Sequence, residues 1–198
     1  MVHVIITTAN IADAYDKRRG QYIESIERCL SYRHYFDSYT VLECVSDHED
    51  YLDNYNTYYS ELGNPYHDKG HNEVSHLKAF LQQSGLPDNI SIIKISGKYL
   101  LTDSYFFDRV IEFQADYDSM FKNDNDVYVG NGYHTFLYYA KKGLLLDVIE
   151  SIDLNDANNR PIEWDFKEFL MVRDNHIEID RLGIMAHQGA NSEKIFYA

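Results

Sequence analysis

Proline is scarce in this chain: Pro65, Pro87 and Pro161 are the only three among 198 residues, which excludes proline-rich linkers and extended proline helices. Cysteine is scarcer still. Cys29 and Cys44 stand alone, too few for a disulfide-stapled scaffold, so the expectation is a reduced, cytoplasmic setting with both thiols packed. No apolar run approaches the ~18–20 residues of a membrane-spanning helix. The opening Met1-Val-His-Val-Ile-Ile reads as a strand, without the basic start and small-residue cleavage site of a secretory leader. Basic residues are outnumbered, 18 Lys and Arg against 32 Asp and Glu, for a net charge of −14. Nucleic-acid binders draw most of their affinity from cations on phosphates, so nucleic acid is not an expected partner. One or two aimed cations can still hold a small anion against a diffuse negative surface.

What is present points to a folded enzyme-sized unit. Hydrophobic residues make up 44% of the chain, and a globular chain of this length buries roughly 70% of its unfolded surface, so a core forms without staples. The expectation is one domain spanning residues 1–198. Tyrosine is abundant, 18 against a single tryptophan. Its flat ring and polar tip serve half-buried positions, and serve equally to stack on a sugar or a base.

Periodicity predicts the elements. Val2 to Thr7 is apolar and β-branched, a buried strand. Asp13 is placed to cap a helix reaching about Tyr32, with Tyr22, Ile26, Cys29 and Leu30 on one face. Tyr39 to Val45 reads as a second strand, and Asp47 to Asp68 as a polar, tyrosine-rich stretch of short helices and loop. Asn72 to Gln83 is predicted helical, stopped by Gly85-Leu-Pro-Asp. Ile90 to Ile95 is nearly all β-branched, as suits a central strand. Ser104 to Phe113 reads as a helix. Val127 to Val129 and Tyr133 to Tyr139 read as strands, and Lys142 to Ile152 and Pro161 to Val172 as helices. His176 to Ile179 and Arg181 to Met185 suggest a terminal hairpin or extended pair. Alternating strands and helices imply an α/β fold with a mostly parallel central sheet flanked by helices. Ligands then bind at the carboxyl ends of the strands, here Thr7–Asn10, Glu43–Asp47 and Ser96–Asp103.

Several segments fall in an order that carries a resemblance. Ile92-Ile-Lys-Ile-Ser-Gly-Lys-Tyr-Leu-Leu resembles the K-[LI]-[ST]-G-R-Y segment of small bacterial and viral glycosyltransferases of the GT-A fold. Val4-Ile-Ile-Thr-Thr resembles their first strand, Gln21-Tyr-Ile-Glu-Ser-Ile the helix after it, and Val41-Leu-Glu-Cys the second strand. Lys69-Gly-His-Asn-Glu resembles their K-G-x-N-E helix start, and Ile162-Glu-Trp-Asp-Phe their late E-x-D-[FL] helix. The resemblance implies a nucleotide-sugar donor, a glycan or other hydroxyl acceptor, and inverting transfer. It implies donor contacts at Thr8, Ala9, Asn10, Glu43, Lys69, Asn72, Lys94, Ser96, Gly97 and Lys98.

Most members hold a divalent metal on an Asp-x-Asp just after a central strand, to stabilise the departing diphosphate. Here that place reads Ser96-Gly97-Lys98. Gly97 would let the backbone approach a phosphate, and Lys98 would supply the charge a metal otherwise brings; a strand-ending turn with a solvated lysine is the plainer reading. No cofactor is then required, or else a divalent cation (Mn²⁺ or Mg²⁺) is held elsewhere. Asp124-Asn-Asp126 is a literal Asp-x-Asp, although in a loop where Asp and Asn are also turn formers. His187 stands where related enzymes place a metal- or phosphate-contacting histidine. Lys69 and Gly70 would set a cation and free N–H groups at a helix start, with Asn72 and Glu73 as a simple cap the alternative.

An inverting transfer needs a carboxylate to take the acceptor's proton. Glu163 fits the resemblance, with Asp165 as deputy and Asp103 a third candidate; acids in a first turn also simply favour the helix dipole. Trp164 is expected in the core. The rival reading is a non-catalytic nucleotide-sugar or glycan-binding module of the same fold. A nucleotidyltransferase is disfavoured, because Thr7-Thr-Ala-Asn-Ile-Ala is not a glycine-rich phosphate loop.

Overall fold

The computed structural model describes residues 1–10, 15–123, 132–154, 160–187 and 195–198. Strand β1 (Val2–Thr8) is buried along its whole length, because its alternate residues feed two different cores. Val4 and Ile6 meet helices α1 (Tyr15–Leu30) and α3 (Tyr105–Phe113) on one face. Ile5 meets α2 (Lys69–Gln83), α4 (Lys142–Ser151) and α5 (Ile162–Leu170) on the other. The expected helix-flanked, mostly parallel α/β sheet is therefore present.

The main sheet has seven strands in the order β3-β2-β1-β4-β7-β6-β8: β2 (Ser38–Glu43), β3 (Thr57–Tyr59), β4 (Ser91–Ser96), β6 (Ser119–Lys122), β7 (Leu137–Lys141) and β8 (His176–Ile179) join β1. Only β7 runs against the rest. The β-branched β4 is the middle strand, as its composition predicted. Register brings three strand ends level, with Thr8 opposite Glu43 and Thr7 opposite Ser96. A second sheet, in the order β10-β9-β5, is built from β5 (Leu100–Leu101), β9 (Ile184–His187) and β10 (Ile195–Tyr197). The turn 96–99 therefore runs from the main sheet straight into the small one, and Tyr99 N donates to Ser96 O at 3.0 Å to close it.

Several boundaries differ from expectation. The 47–68 stretch holds a short 3₁₀ turn (Asp50–Leu52) and the edge strand β3. Helix α2 starts at Lys69 rather than Asn72, because the Asp68 side chain accepts from Gly70 N and His71 N. That cap occupies the N–H groups a phosphate would have needed. Strand β6 was not foreseen, and Tyr133 makes only an isolated bridge to Asn123 ahead of β7. Segments 176–179 and 184–187 do not form a hairpin: β8 pairs with β6 and β9 with β5. Trp164 is 40% exposed rather than in the core. Asp13 and the expected 127–129 strand lie outside the described residues. No helix among the described residues is long and apolar enough to cross a membrane.

Candidate functional site

The ends of β1, β2 and β4 lie level, and this strand-end region, with the 96–99 turn beside it, is called the mouth. A Cβ added to Gly97 would meet Thr7 O at 2.9 Å, Thr8 Cγ2 at 3.1 Å and the Tyr22 ring at 3.1 Å. Gly97 N also donates to Thr7 O at 2.7 Å. Glycine is required here by close contact with the end of β1, which is a different cause from the approach to phosphate expected of it.

Lys94 and Ser96 point from β4 toward α2. The Lys94 ammonium, its side chain 2% exposed, pairs with Glu73 Oε1 at 2.8 Å. It also donates to Ser96 Oγ at 2.7 Å and to Thr135 O at 2.9 Å. Thr7 Oγ1 and Ser96 Oγ donate to the same Glu73 oxygen. Burial pushes the Glu73 carboxyl up, but the Lys94 charge and its hydrogen bond, with that of Thr7, bring it below the ordinary value. Glu73 is thus the rivet between α2, β1 and β4, and Lys94 lies under the floor rather than in the mouth.

The other strand-end residues are similarly engaged. Thr8 Oγ1 donates to Glu43 Oε2 at 2.6 Å, and Glu43 Oε1 accepts from Val45 N at 2.9 Å and Ser46 N at 3.1 Å. Glu43 is fully buried and shapes the turn after β2. Ala9 N and O both bond the Tyr22 hydroxyl. Asn10 donates to Tyr51 OH at 2.7 Å, while its Oδ1 is buried without a partner. Asn72 clamps the turn before α2, donating to Tyr66 O at 2.7 Å and accepting from Tyr66 N at 3.0 Å. Thr8, Glu43 and Asn72 are therefore all engaged in hydrogen bonds that shape the loops at the strand ends.

Cations gather above the floor. Lys98 is exposed at the turn, yet its ammonium is pulled below the ordinary lysine value. Loss of solvation is the first cause; repulsion from Arg18, Lys94 and Lys69 adds to it, and attraction to Glu73 opposes it. Arg18 was not singled out from the sequence. It is buried on the inner face of α1 with Tyr22 and Ser25. Ser25 Oγ bonds Tyr99 O at 2.6 Å, which docks this face of α1 on the same turn. Tyr99, stacked on Phe136 at 4.5 Å, is a second residue missed. Burial raises its hydroxyl pKa, Glu73 and Glu163 raise it further, and Arg18 lowers it.

Glu163, at the start of α5, forms the acidic side. Thr135 Oγ1 donates to its Oε1 at 3.0 Å. Burial holds its carboxyl above the ordinary value; the Thr135 bond opposes this, and the charges of Asp68 and Glu73 add to it. The two deputies are placed elsewhere. Asp165 pairs with Arg160 Nε at 2.8 Å. Asp103 accepts from Tyr105 N at 2.9 Å and pairs with Arg181 at 3.0 Å, supporting the loop into β9. Thr135, whose carbonyl accepts from Lys94, ties Glu163 to the end of β4; Asp165 and Asp103 have their partners elsewhere.

The end of β4 does not fit a divalent cation. One oxygen of Glu73 is taken by three donors, and Arg18, Lys69 and Lys98 bring like charge to the same place. Asp124 and Asp126 lie outside the described residues, as does the His187 side chain. Among the described residues, one group compatible with an optional divalent cation is present. His48, Asp50 and Asp53 place ligand atoms within 4.8 Å of one another on the exposed β2–β3 connection.

Neither a family model nor a curated protein matches the sequence. Solved structures do. A glucose-1-phosphate thymidylyltransferase assignment from Bacillus anthracis aligns with a TM-score of 0.62 at 12% identity, covering 94% of this chain and 89% of that one. The 4-diphosphocytidyl-2C-methyl-D-erythritol synthase from Anaerococcus prevotii aligns at 0.61 with 15% identity, covering 91% and 86%. A glycosyltransferase involved in glycosylation of the major capsid of PBCV-1 aligns at 0.52 with 12% identity, covering 90% and 82%. The fold is that of the nucleotide-diphospho-sugar transferases. Within this fold the mouth described above lies where strand ends gather, the place such sheets use for ligands. At these identities the likeness extends to the fold alone.

Proposed function

We propose that the chain is a glycosyltransferase that moves a sugar from a nucleoside-diphosphate sugar to a hydroxyl acceptor, with inversion. The observation that carries this reading is that Glu163 is tied through Thr135 to Lys94 at the end of β4, the strand whose following turn carries Lys98. Transfer breaks the bond between sugar C1 and the diphosphate oxygen and forms one from C1 to the acceptor oxygen. The acceptor proton passes to the Glu163 carboxylate, and the nucleoside diphosphate leaves with the bonding electron pair beside Lys98. A carboxyl held above its ordinary value is the better base near neutral pH. A cation already in place at the leaving group stabilises the developing charge without reorganisation.

Nucleotidyl transfer is the second reading, favoured by the thymidylyltransferase among the similar structures. The fold is common to both chemistries, so the site must decide. A base facing an acceptor hydroxyl belongs to sugar transfer. A non-catalytic binding module would not need Glu163 ionisable at all.

A panel of nucleoside-diphosphate sugars tests donor binding. A matching donor at 100 times its Kd stabilises the fold by about 2.7 kcal/mol, read as a rise in Tm. Lys98→Ala is expected to remove most of that rise while leaving the unliganded Tm unchanged. A full rise in the variant would detach Lys98 from the donor.

A further inference from the structure

Arg18 is an anomaly in electrostatic terms. It is 7% exposed, its Nε has no hydrogen-bond partner, and no salt bridge reaches it among the described residues. Acids are plentiful in this chain, and other arginines find them: Arg109 pairs with Glu112, Arg160 with Asp165 and Glu168, Arg181 with Asp103. A buried guanidinium left without an anion is costly, and such groups persist where something outside the chain completes them.

Its position says what that is. Helix side chains lean toward the helix N-terminus, and α1 returns antiparallel to β1, so its N-terminal end lies over the strand ends. Tyr22 and Ser25, one and two turns further on, touch Ala9, Gly97 and Tyr99. Arg18 lies four residues before Tyr22 on that buried face, within electrostatic range of Lys98 and Tyr99. Lys69 approaches Lys98 from the start of α2. Arg18 on α1 and Lys69 on α2 thus lie within electrostatic range of Lys98 on the turn after β4, in a protein of net charge −14. An anion bearing several oxygens relieves their mutual repulsion. A planar fork beside two point charges suits adjacent phosphates, because guanidinium binds such oxygens two at a time.

We propose that Arg18 is the principal diphosphate-gripping residue, and that with Lys98 and Lys69 it forms an anion site that needs no divalent cation. The inference deepens the donor reading above and rests on it only for the identity of the anion.

Titration calorimetry with inorganic pyrophosphate, in the presence of EDTA, tests this without a known sugar. The native chain is expected to bind, with the same affinity when EDTA is replaced by Mg²⁺. Arg18→Met is expected to lose about 10- to 100-fold in affinity, the worth of a charge-assisted hydrogen-bonded contact. Arg18→Lys should recover only part, lacking the fork. Arg28→Met, an exposed charge at the far end of the same helix, should change nothing. Stability supplies the independent readout. An arginine kept for a ligand can be replaced by Met with no loss of unliganded Tm, whereas a structural one cannot.

Native affinity in a folded Arg18→Met chain would overturn the proposal, and so would pyrophosphate binding that appears only with Mg²⁺. If Arg18→Met fails to fold, the role is structural and the proposal falls. Arg18-dependent binding without any sugar transfer would keep the anion site and discard the glycosyltransferase reading, so the two can fail separately.

Discussion

Glu163→Gln is expected to lower turnover by about 10²- to 10⁴-fold, the usual contribution of a positioned proton acceptor, with donor affinity held within about 2-fold. Glutamine keeps the size of the side chain and an oxygen for the Thr135 hydroxyl, so the start of α5 stays in place while the proton acceptor is lost. The pH profile carries the sign. The base works ionised, and burial raises the Glu163 pKa above its ordinary 4.5, so the acid-side loss of turnover begins at higher pH than for a solvated glutamate. Lys98 works protonated, and lost solvation with Arg18 repulsion lowers it from 10.5, so the alkaline loss begins earlier than for a solvated lysine. The active range is narrowed from both sides. In Glu163→Gln the acid limb should vanish and the alkaline limb remain. Steady-state rates across pH measure both, and an unchanged acid limb in the variant would assign the base elsewhere.

Glu73→Ala produces the other large effect, and it falls on stability. The change strands the Lys94 ammonium beneath the sheet end with only Ser96 Oγ and Thr135 O for company. Breaking a buried pair from one side costs 3–5 kcal/mol in general. Glu73 keeps 26% of its side chain exposed, so the lower end, about 3 kcal/mol, is expected. Denaturant unfolding reads it directly. Glu73→Leu combined with Lys94→Met should recover most of the loss, because removing both charges leaves neither uncompensated. A double variant as unstable as the single would mean that the four hydroxyl and carbonyl hydrogen bonds, not the charge pair, hold the strand ends. Because Glu73 is a rivet, comparing turnover in Lys98→Ala with that in Glu73→Ala mixes chemistry with unfolding, and Glu163→Gln is the sounder counterpart.

Much of this fold is legible from pattern. The β-branched run before Gly97 gives the central strand, and the apolar spacing of α1 and α2 gives their buried faces. Together with the rule that ligands sit at strand ends, these locate the mouth before any geometry is known. What stayed hidden depends on long-range pairing. Thr57-Tyr-Tyr and Ser119-Met-Phe-Lys are too short and too polar to announce β3 and β6, which exist because a neighbouring strand offers its free edge. Turn chemistry is no better a guide: His176 to Ile179 and Arg181 to Met185 suggest a hairpin or extended pair, and Gly183 does take φ 68°, yet the strands on either side join different sheets.

The site shows the same division. Glu163 and Lys98 were found through matching segments. Arg18 stands in Lys17-Arg18-Arg19, and nothing in that local run singles it out. The signal was there in the spacing: Arg18 falls four residues before Tyr22 and eight before Ile26, squarely on the apolar stripe of α1. Conversely, Thr8, Glu43, Asn72 and Lys94 had the right chemistry and the right address. Hydrogen-bond partners decided their roles, and partners are a property of the fold rather than of the segment.

The central claim is that sugar, not a nucleotidyl group, is the group transferred. Phosphorus NMR of the reaction products separates the two directly. With a nucleoside-diphosphate sugar and a hydroxyl acceptor, the account predicts release of the nucleoside diphosphate, slowed by about 10²- to 10⁴-fold in Glu163→Gln. Pyrophosphate released from a nucleoside triphosphate and a sugar phosphate, with no diphosphate from any sugar nucleotide, would contradict it.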